Sequence, residues 1–362
     1  MVASGIVGVP NAGKSTLFCA LSRSAAEVST YPFCTIEANR AVVSVPDPRL
    51  EQLGEIFGQE DRIPTAIEFI DIAGLVRGAH QGHGLGNRFL GHIREVDAVL
   101  HVVRCFHRAD VPHVDGNVDA VRDVETVNME LVLADLETLE RRRQKPKRGM
   151  SIEEIRLQET VLDRLEAALQ EGRPASTVVV AEPEQGQLAA ELFLLTMKPV
   201  LYVANVDEAD MLNEGPELAH LRAWARGHGH TVTPIAARLE AEVAELAEDD
   251  ATDFVEEYGL PELGLGRVVQ AAYGVLDLIT FFTAVGKECR AWTVKRGSSA
   301  TEAAGKIHTD MAKGFQKAEV IAFDDLARTG SWSEARDNGH VRMEGRDYVV
   351  EDGDVMVFKF ST

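Results

Sequence analysis

The sequence predicts an α/β chain: a parallel-sheet nucleotide domain, interrupted by a helical insertion and followed by a small β-rich module. Three observations carry that expectation. A phosphate-loop pattern, Gly8-Val-Pro-Asn-Ala-Gly-Lys14-Ser15-Thr16, stands between an apolar run and a helical pattern. Residues 125–171 place apolar side chains at helical spacing around a basic, proline-containing break. From Ile279 onward, short β-rich runs replace the strand–helix alternation.

The first element is the apolar run Ser4–Val9, read as a short buried strand, with a helix opening at Lys14. Between them the chain must turn its N–H groups inward around a polyphosphate. Gly8 and Gly13 supply the backbone freedom, and Asn11, Ala12, Gly13, Lys14, Ser15 and Thr16 are the expected nucleotide-binding residues. Lys14 brings a cation to the β- and γ-phosphates, which makes it catalytic as well. The Ser15 hydroxyl is an expected Mg²⁺ ligand. Thr35, in the loop before Ala41–Val45, is a second candidate metal ligand, of the kind that meets Mg²⁺ only beside a γ-phosphate. Strand Ala66–Asp71 ends in the pattern D-x-x-G, so Asp71 is a third metal candidate and the Gly74 N–H a γ-phosphate sensor. The following stretch, Arg77–Gly86, holds four glycines in ten residues and reads as a nucleotide-sensing switch.

Strand Ala98–Val103 and a polar loop with His107 and His113 lead into the insertion. Met129, Val132, Leu136 and Leu139 form one seam; Ile155, Leu162 and Leu169 form another. The expectation is an antiparallel hairpin with a tip carrying six cations in eight residues: Arg141, Arg142, Arg143, Lys145, Lys147 and Arg148. A solvated tip and an RNA-contacting tip are both compatible with that pattern. The nucleotide domain resumes with strand Lys198–Asn205, a helix from Glu217 to Gly227, strand Thr231–Ala236, an acidic helix from Glu240 to Asp250 and a helix from about Gly266 to Leu278. The expected organisation is 1–124 with 198–278 as nucleotide domain, 125–197 as helical insertion and 279–362 as a β-rich module wrapping one helix, Ala300 to Lys313.

Composition narrows the functional classes. A formal charge of −21 argues against general nucleic-acid coating, because the average surface repels phosphate. The four cysteines form no C-x-x-C pair, which suits reduced thiols. Met1 leads almost directly into the first strand and no long apolar run appears, so the expectation is a cytoplasmic protein without a membrane span.

Taken jointly, these motifs resemble the YchF/Obg-like ATPases, a branch of the translation-associated P-loop GTPase class. The resemblance rests on the phosphate loop, Tyr31–Ile36, Asp71–Val76, Gly84–Asn87, His101–Phe106, Asn205-Val-Asp-Glu208, Ala304–Asp310 and Val350–Asp354, and covers essentially the whole chain. It implies a nucleotide domain with an inserted coiled coil, a C-terminal TGS domain of ubiquitin-like β-grasp shape, hydrolysis of ATP in preference to GTP, and binding to the ribosome, including the large subunit. Guanine-specific members carry N-K-x-D, whose aspartate accepts two hydrogen bonds from guanine. Here Val206 replaces the lysine and Glu208 the aspartate; the extra methylene spoils the guanine geometry. Asn205, Val206 and Glu208 are therefore the expected base-side residues, with adenine's amine donating to Asn205 or to the Val206 carbonyl. Asp207 stands one place early and still reaches guanine if the loop shifts.

The residue after D-x-x-G, where many GTPases place a water-orienting glutamine, is Leu75. A polar group must come from elsewhere, and His113 is the first candidate, with His80, Gln81 and His83 as rivals. Slow intrinsic turnover accelerated by a ribosomal partner follows as an expectation. Two other readings stay open: an Obg-like GTPase, and a ribosome- or RNA-binding adaptor whose nucleotide site is mainly structural.

Overall fold

The computed structural model describes residues 1–27, 39–72, 85–146, 149–179, 182–246 and 264–361. Thr35, Gly74, Leu75, His80, Gln81, His83, Lys147 and Arg148 lie outside them.

Two six-stranded sheets organise the chain. The first has strand order β2-β4-β1-β5-β6-β7, formed by β1 (Ala3–Val7), β2 (Arg40–Ser44), β4 (Ala66–Asp71), β5 (Ala98–Arg104), β6 (Val200–Asn205) and β7 (Val232–Ile235). All its pairings are parallel except β2 with β4. β1 and β5 are buried along their whole length, as strands covered by helices on both faces must be. Helix α1 (Lys14–Glu27) follows β1 through the phosphate loop, and the site lies where the parallel strands end.

Between β2 and β4 the chain makes an excursion that sequence patterning did not anticipate. Helix α2 (Pro48–Phe57) is fixed at its start by Asp47, whose carboxylate accepts from the Arg49 N–H, and ends at Gly58 in the left-handed region. Strand β3 (Asp61–Ile63) then joins the second sheet, pairing with β9. That sheet runs β11-β10-β12-β8-β9-β3, its other members being β8 (Leu278–Val285), β9 (Glu288–Lys295), β10 (Phe315–Ala322), β11 (Arg342–Glu344) and β12 (Asp354–Phe360).

Helix α3 (Leu85–Glu95) precedes β5, and the insertion follows β5. α4 (Ala120–Gln144) starts five residues earlier than the apolar seam suggested, because Asp119 caps it by accepting the Arg122 N–H. α5 (Ile152–Gln170) begins with a capping box between Ser151 and Glu154. Val132, Leu139, Leu162, Leu165 and Leu169 are buried between the two helices. Met129 is not: it is 47% exposed and faces a groove described below. Helices α6 (Pro183–Ala190), α7 (Glu208–Leu212), α8 (Pro216–Gly227), α9 (Ala237–Val243) and α10 (Gly264–Val275) complete the stretch up to β8. The acidic helix expected to reach Asp250 is helical only through Val243 among the described residues.

The C-terminal module holds more helix than expected. The stretch Ala300–Lys313 divides into α11 (Ala300–Ile307) and α12 (Thr309–Lys313), because His308 is extended (φ −160°) and its ring accepts the Asp310 N–H. Two further helices, α13 (Phe323–Thr329) and α14 (Trp332–Asp337), connect β10 to β11. Among the described residues no helix is long and apolar enough to cross a membrane.

Candidate nucleotide site

The phosphate loop closes on itself through backbone geometry that only its own residues allow. Gly8 (φ +153°) and Gly13 (φ +96°) leave no room for a side chain: a Cβ on Gly8 would strike the Val102 carbonyl, and one on Gly13 the Asn205 amide. Asn11 holds a left-handed φ of 63°, and its amide donates to the Pro112 carbonyl at 3.0 Å. Lys14 is 8% exposed and donates to the Val9 carbonyl at 2.8 Å. Burial pulls its pKa down while the Asp71 carboxylate pulls it back up; conversely, burial raises the Asp71 carboxyl and Lys14 opposes this. The two groups are thus near enough for each to feel the other's charge.

A cavity of about 590 Å³ opens from this loop. Asn11, Gly13, Lys14, Ser15, Thr16, Asn205, Val206 and Glu208 all line it, so the structure brings together residues nearly 200 positions apart in sequence. Ala12 lies beneath, fully buried, its carbonyl accepting from the Asn205 amide at 2.9 Å. The Asn205 side-chain oxygen accepts the Ala237 N–H at 3.1 Å. The Asn205 amide is therefore a brace between the phosphate loop and the start of α9, with one bond made at each of its ends. Val206 is buried at 4% exposure, and one Asp207 oxygen accepts the His107 N–H at 3.1 Å. Glu208 is exposed at the start of α7 and has no hydrogen-bond or ion-pair partner among the described residues.

The lining is completed by Phe106, from the His101–Phe106 motif, and by residues outside the motifs: Arg108, Val111, Ala236, Arg238 and Leu239. What shapes the first three is Arg104, at the end of β5 and only 2% exposed. Its guanidinium donates to the carbonyls of Phe106, Val111 and Pro112 at 3.3, 2.7 and 3.3 Å and lies 4.5 Å above the Phe106 ring. A buried arginine is uncommon, and this one holds the 106–112 loop in place. Arg108 is paired with Asp110, and Arg238 with Glu242.

His113 stands one residue beyond this braced loop but does not line the cavity. Its side chain is 2% exposed. Nδ1 accepts the Asp115 N–H at 3.1 Å, which places the ring proton on Nε2, 2.9 Å from Asp123. Both nitrogens are spoken for, so contact with a reacting water requires this loop to rearrange. Among the described residues His113, Asp115 and Asp123 gather three ligand-type atoms within 4.8 Å of one another, with Arg122 3.7 Å from each carboxylate.

At the hairpin tip the expected free cations divide. Arg143 turns back along α5 to Glu159, Asp163 and Glu166 at 2.6, 2.5 and 2.8 Å, so it braces the hairpin instead of projecting from it. Arg142 lies 3.4 Å from Gln158. Arg141 is two-thirds exposed beside Glu137.

The largely parallel sheet and the phosphate loop with its buried Lys14 define a P-loop nucleotide-binding protein of the GTPase class. Comparison with known proteins agrees and narrows this. Residues 3–146 match the family model for 50S ribosome-binding GTPases, and residues 278–361 match YchF-GTPase_C, described as a protein of unknown function (DUF933). The chain is 46% identical to the ribosome-binding ATPase YchF of Bacillus subtilis (strain 168) over 99% of both chains. It is also 46% identical to that of Escherichia coli O157:H7 over 99% of this chain and 98% of the other. The solved YchF GTPase of Schizosaccharomyces pombe superposes with a TM-score of 0.87 at 33% identity, over 99% and 97% of the two chains. The chain belongs to the YchF family.

Proposed function

We propose that this protein is a Mg²⁺-dependent ATPase that binds the ribosome and acts as a nucleotide-controlled switch in translation. Its relatives named ribosome-binding ATPases match along essentially their whole length. The observation that carries the nucleotide preference is the segment Asn205–Glu208. Asn205 braces the phosphate loop, Val206 is buried where guanine-specific sites hold a lysine, and one oxygen of Asp207 is tied to the His107 N–H. One oxygen of Asp207 is thus engaged and the fourth-place carboxylate, Glu208, is a methylene too long for the guanine geometry, while adenine needs only an acceptor for its amine, for which the Val206 carbonyl is our candidate.

Ser15 and Asp71 supply hard oxygen donors suited to Mg²⁺, and Asp71 is a half-buried carboxylate whose neighbouring cation is Lys14. Thr35 is proposed as the third ligand and the Gly74 N–H as the γ-phosphate contact. When bound, the metal neutralises charge on the phosphate oxygens. The chain's own groups do the rest: phosphate-loop N–H groups orient the phosphates, Lys14 balances their charge, and the braced 106–112 wall shields them from water. We further propose His113 as the water-positioning group once its loop leaves Asp123, and Arg141, Arg142, Lys145, Lys147 and Arg148 as the tip residues that meet rRNA of the large subunit. The α4–α5 hairpin is read as the family's coiled coil and residues 279–362 as its TGS β-grasp module, with 1–124 and 198–278 forming the nucleotide domain and 125–197 the insertion. The expected setting is the cytoplasm.

Calorimetric titration of nucleotide-free protein with ADP and with GDP, each with Mg²⁺, tests the base reading. ADP is expected to bind at least about tenfold tighter, or ~1.4 kcal/mol. Equal or tighter GDP binding would overturn the ATPase assignment in favour of a GTPase. Lys14→Ala is expected to abolish turnover and, with it, nucleotide control of ribosome co-sedimentation; control that survives would favour an adaptor.

A further inference from the structure

A second and larger recess lies at the other end of β6. That strand ends at the nucleotide cavity with Asn205, but its first residue, Val200, and the preceding Lys198 and Pro199 line a groove of about 790 Å³ between the helical insertion and the nucleotide domain. One wall is aromatic. The Trp224 and His228 rings stack at 4.4 Å, His230 lies parallel to Trp224 within 16° at 6.5 Å, and Tyr202 meets Trp224 edge-on at 5.4 Å. Tyr202 is buried and its hydroxyl receives the Asn128 amide at 3.4 Å; Trp224 and His230 are half-buried, and both line the groove.

The charge of the groove decides what this surface suits. Its lining holds one lysine, Lys198, whose ammonium is spent on the Arg94 and Val96 carbonyls. Burial and the adjoining His228 hold His230 below its ordinary pKa, which keeps that ring uncharged at neutral pH. Of the two carboxylates, Glu171 is bonded to Arg173, but Glu125 is exposed on the α4 wall with no partner among the described residues. Met129, 47% exposed, adds a soft apolar surface one helical turn further on. An electron-rich aromatic wall beside an unengaged carboxylate, with no spare cation, repels phosphate and attracts a planar cation.

We propose that this groove docks an arginine-bearing segment of a partner protein, with the guanidinium stacked against the Trp224 cluster and paired with Glu125. The planar guanidinium fits better than an ammonium because it satisfies stacking and a carboxylate at once. Nucleic acid is disfavoured, since its phosphates would meet Glu125 on a chain of net charge −21. The site is independent of the nucleotide reading and stands or falls separately from it.

The test is calorimetric titration of the full chain, in about 0.15 M salt so that unspecific attraction is screened. The probes are an arginine-containing nonapeptide, its lysine counterpart and adenosine. The arginine peptide is expected to bind at least about fivefold tighter than the lysine peptide, and Trp224→Ala to weaken it about tenfold. Should that variant fold poorly, Glu125→Arg places a cation on an exposed helical position and is expected to cause a similar loss. Glu153→Arg, which makes the same charge change at the start of α5, should leave binding within about twofold. Equal affinity for the lysine peptide, or an equal loss in Glu153→Arg, would reduce the effect to general attraction and overturn the proposal. Saturable adenosine binding that disappears in Trp224→Ala would overturn it differently, by making the groove a base-stacking site.

Discussion

His101 sits fully buried in β5, with its Nε2 unpaired among the described residues, its ring 5.5 Å from that of Tyr202 and the Lys14 charge nearby. Burial, reinforced by Lys14, drops its pKa to about 3, so it stays neutral in the native protein, whereas the unfolded chain binds a proton near pH 6.5. The sign follows from proton counts. Below pH 6.5 the unfolded state holds more protons, so stability is lost as pH falls towards 3. Replacing His101 by Phe should remove that dependence: between pH 6.5 and 5, wild type is expected to lose about 2 kcal/mol more than His101→Phe in urea unfolding. Equal losses would show that this imidazole is not the group being charged. The same scale shows what local sequence conveys. Gly8, Gly13 and Lys14 were legible because their chemistry is met within a few residues. Arg104 was not, because a lone arginine normally reads as surface, and its role depends on the path of the 106–112 loop. The bracing of Asn205 was equally hidden, since its partners Ala12 and Ala237 are brought together only by the sheet.

Elements were legible where periodicity and caps agree. α5 carries the Ile155, Leu162 and Leu169 seam and opens with the Ser151–Glu154 capping box, and the strands Ala66–Asp71 and Lys198–Asn205 appear nearly as read. Spacing does not show what anchors an element to the rest. Asp135 on α4 is 1% exposed and accepts the Leu195 and Thr196 N–H groups at 2.8 Å each and the Thr196 hydroxyl at 2.7 Å, clamping the returning chain to the insertion. Burial raises its carboxyl pKa while these donors oppose the rise. Asp135→Ala leaves two buried N–H groups without an acceptor and is expected to cost about 3 kcal/mol in chemical denaturation. A cost below about 1 kcal/mol would mean that water replaces the carboxylate. Arg143 gives a milder contrast. It is 29% exposed and shared among three carboxylates, so Arg143→Ala is expected to cost no more than about 1 kcal/mol, shrinking further in high salt. A cost that salt leaves unchanged would point to packing instead of charge.

At the scale of the whole molecule, the excursion between β2 and β4 ties the nucleotide domain to the C-terminal sheet. β3 supplies that sheet's edge strand, and Leu50 and Leu53 of α2 enter a core with Phe282, Ile321, Leu326 and Val355. Arg49 stands 5.3 Å over the Phe282 ring and reaches Asp352 at 2.8 Å, while Thr65 bonds Thr293. A boundary drawn at residue 279 missed this, because three residues of strand carry almost no periodic signal and their partner lies more than 220 positions away. The segment ends in β4, whose last residue is Asp71, the proposed metal ligand. With Asp71 in its proposed role, the stretch from β4 back to β3 is a short covalent route from the phosphates into the second sheet. Leu53 is fully buried, so Leu53→Ala should cost about 2–5 kcal/mol. That loss is expected in the C-terminal module as well, although the substitution lies far from it in sequence. Trp332, whose ring lies 6.4 Å from Phe57, reports on the joint, and Trp224 on the nucleotide domain. With single-tryptophan versions of the chain, both probes should lose the same midpoint in Leu53→Ala if the two sheets unfold together. If Trp332 shifts while Trp224 keeps its wild-type transition, the joint is a docked contact between independently stable units, and the route from Asp71 to the second sheet carries no energy.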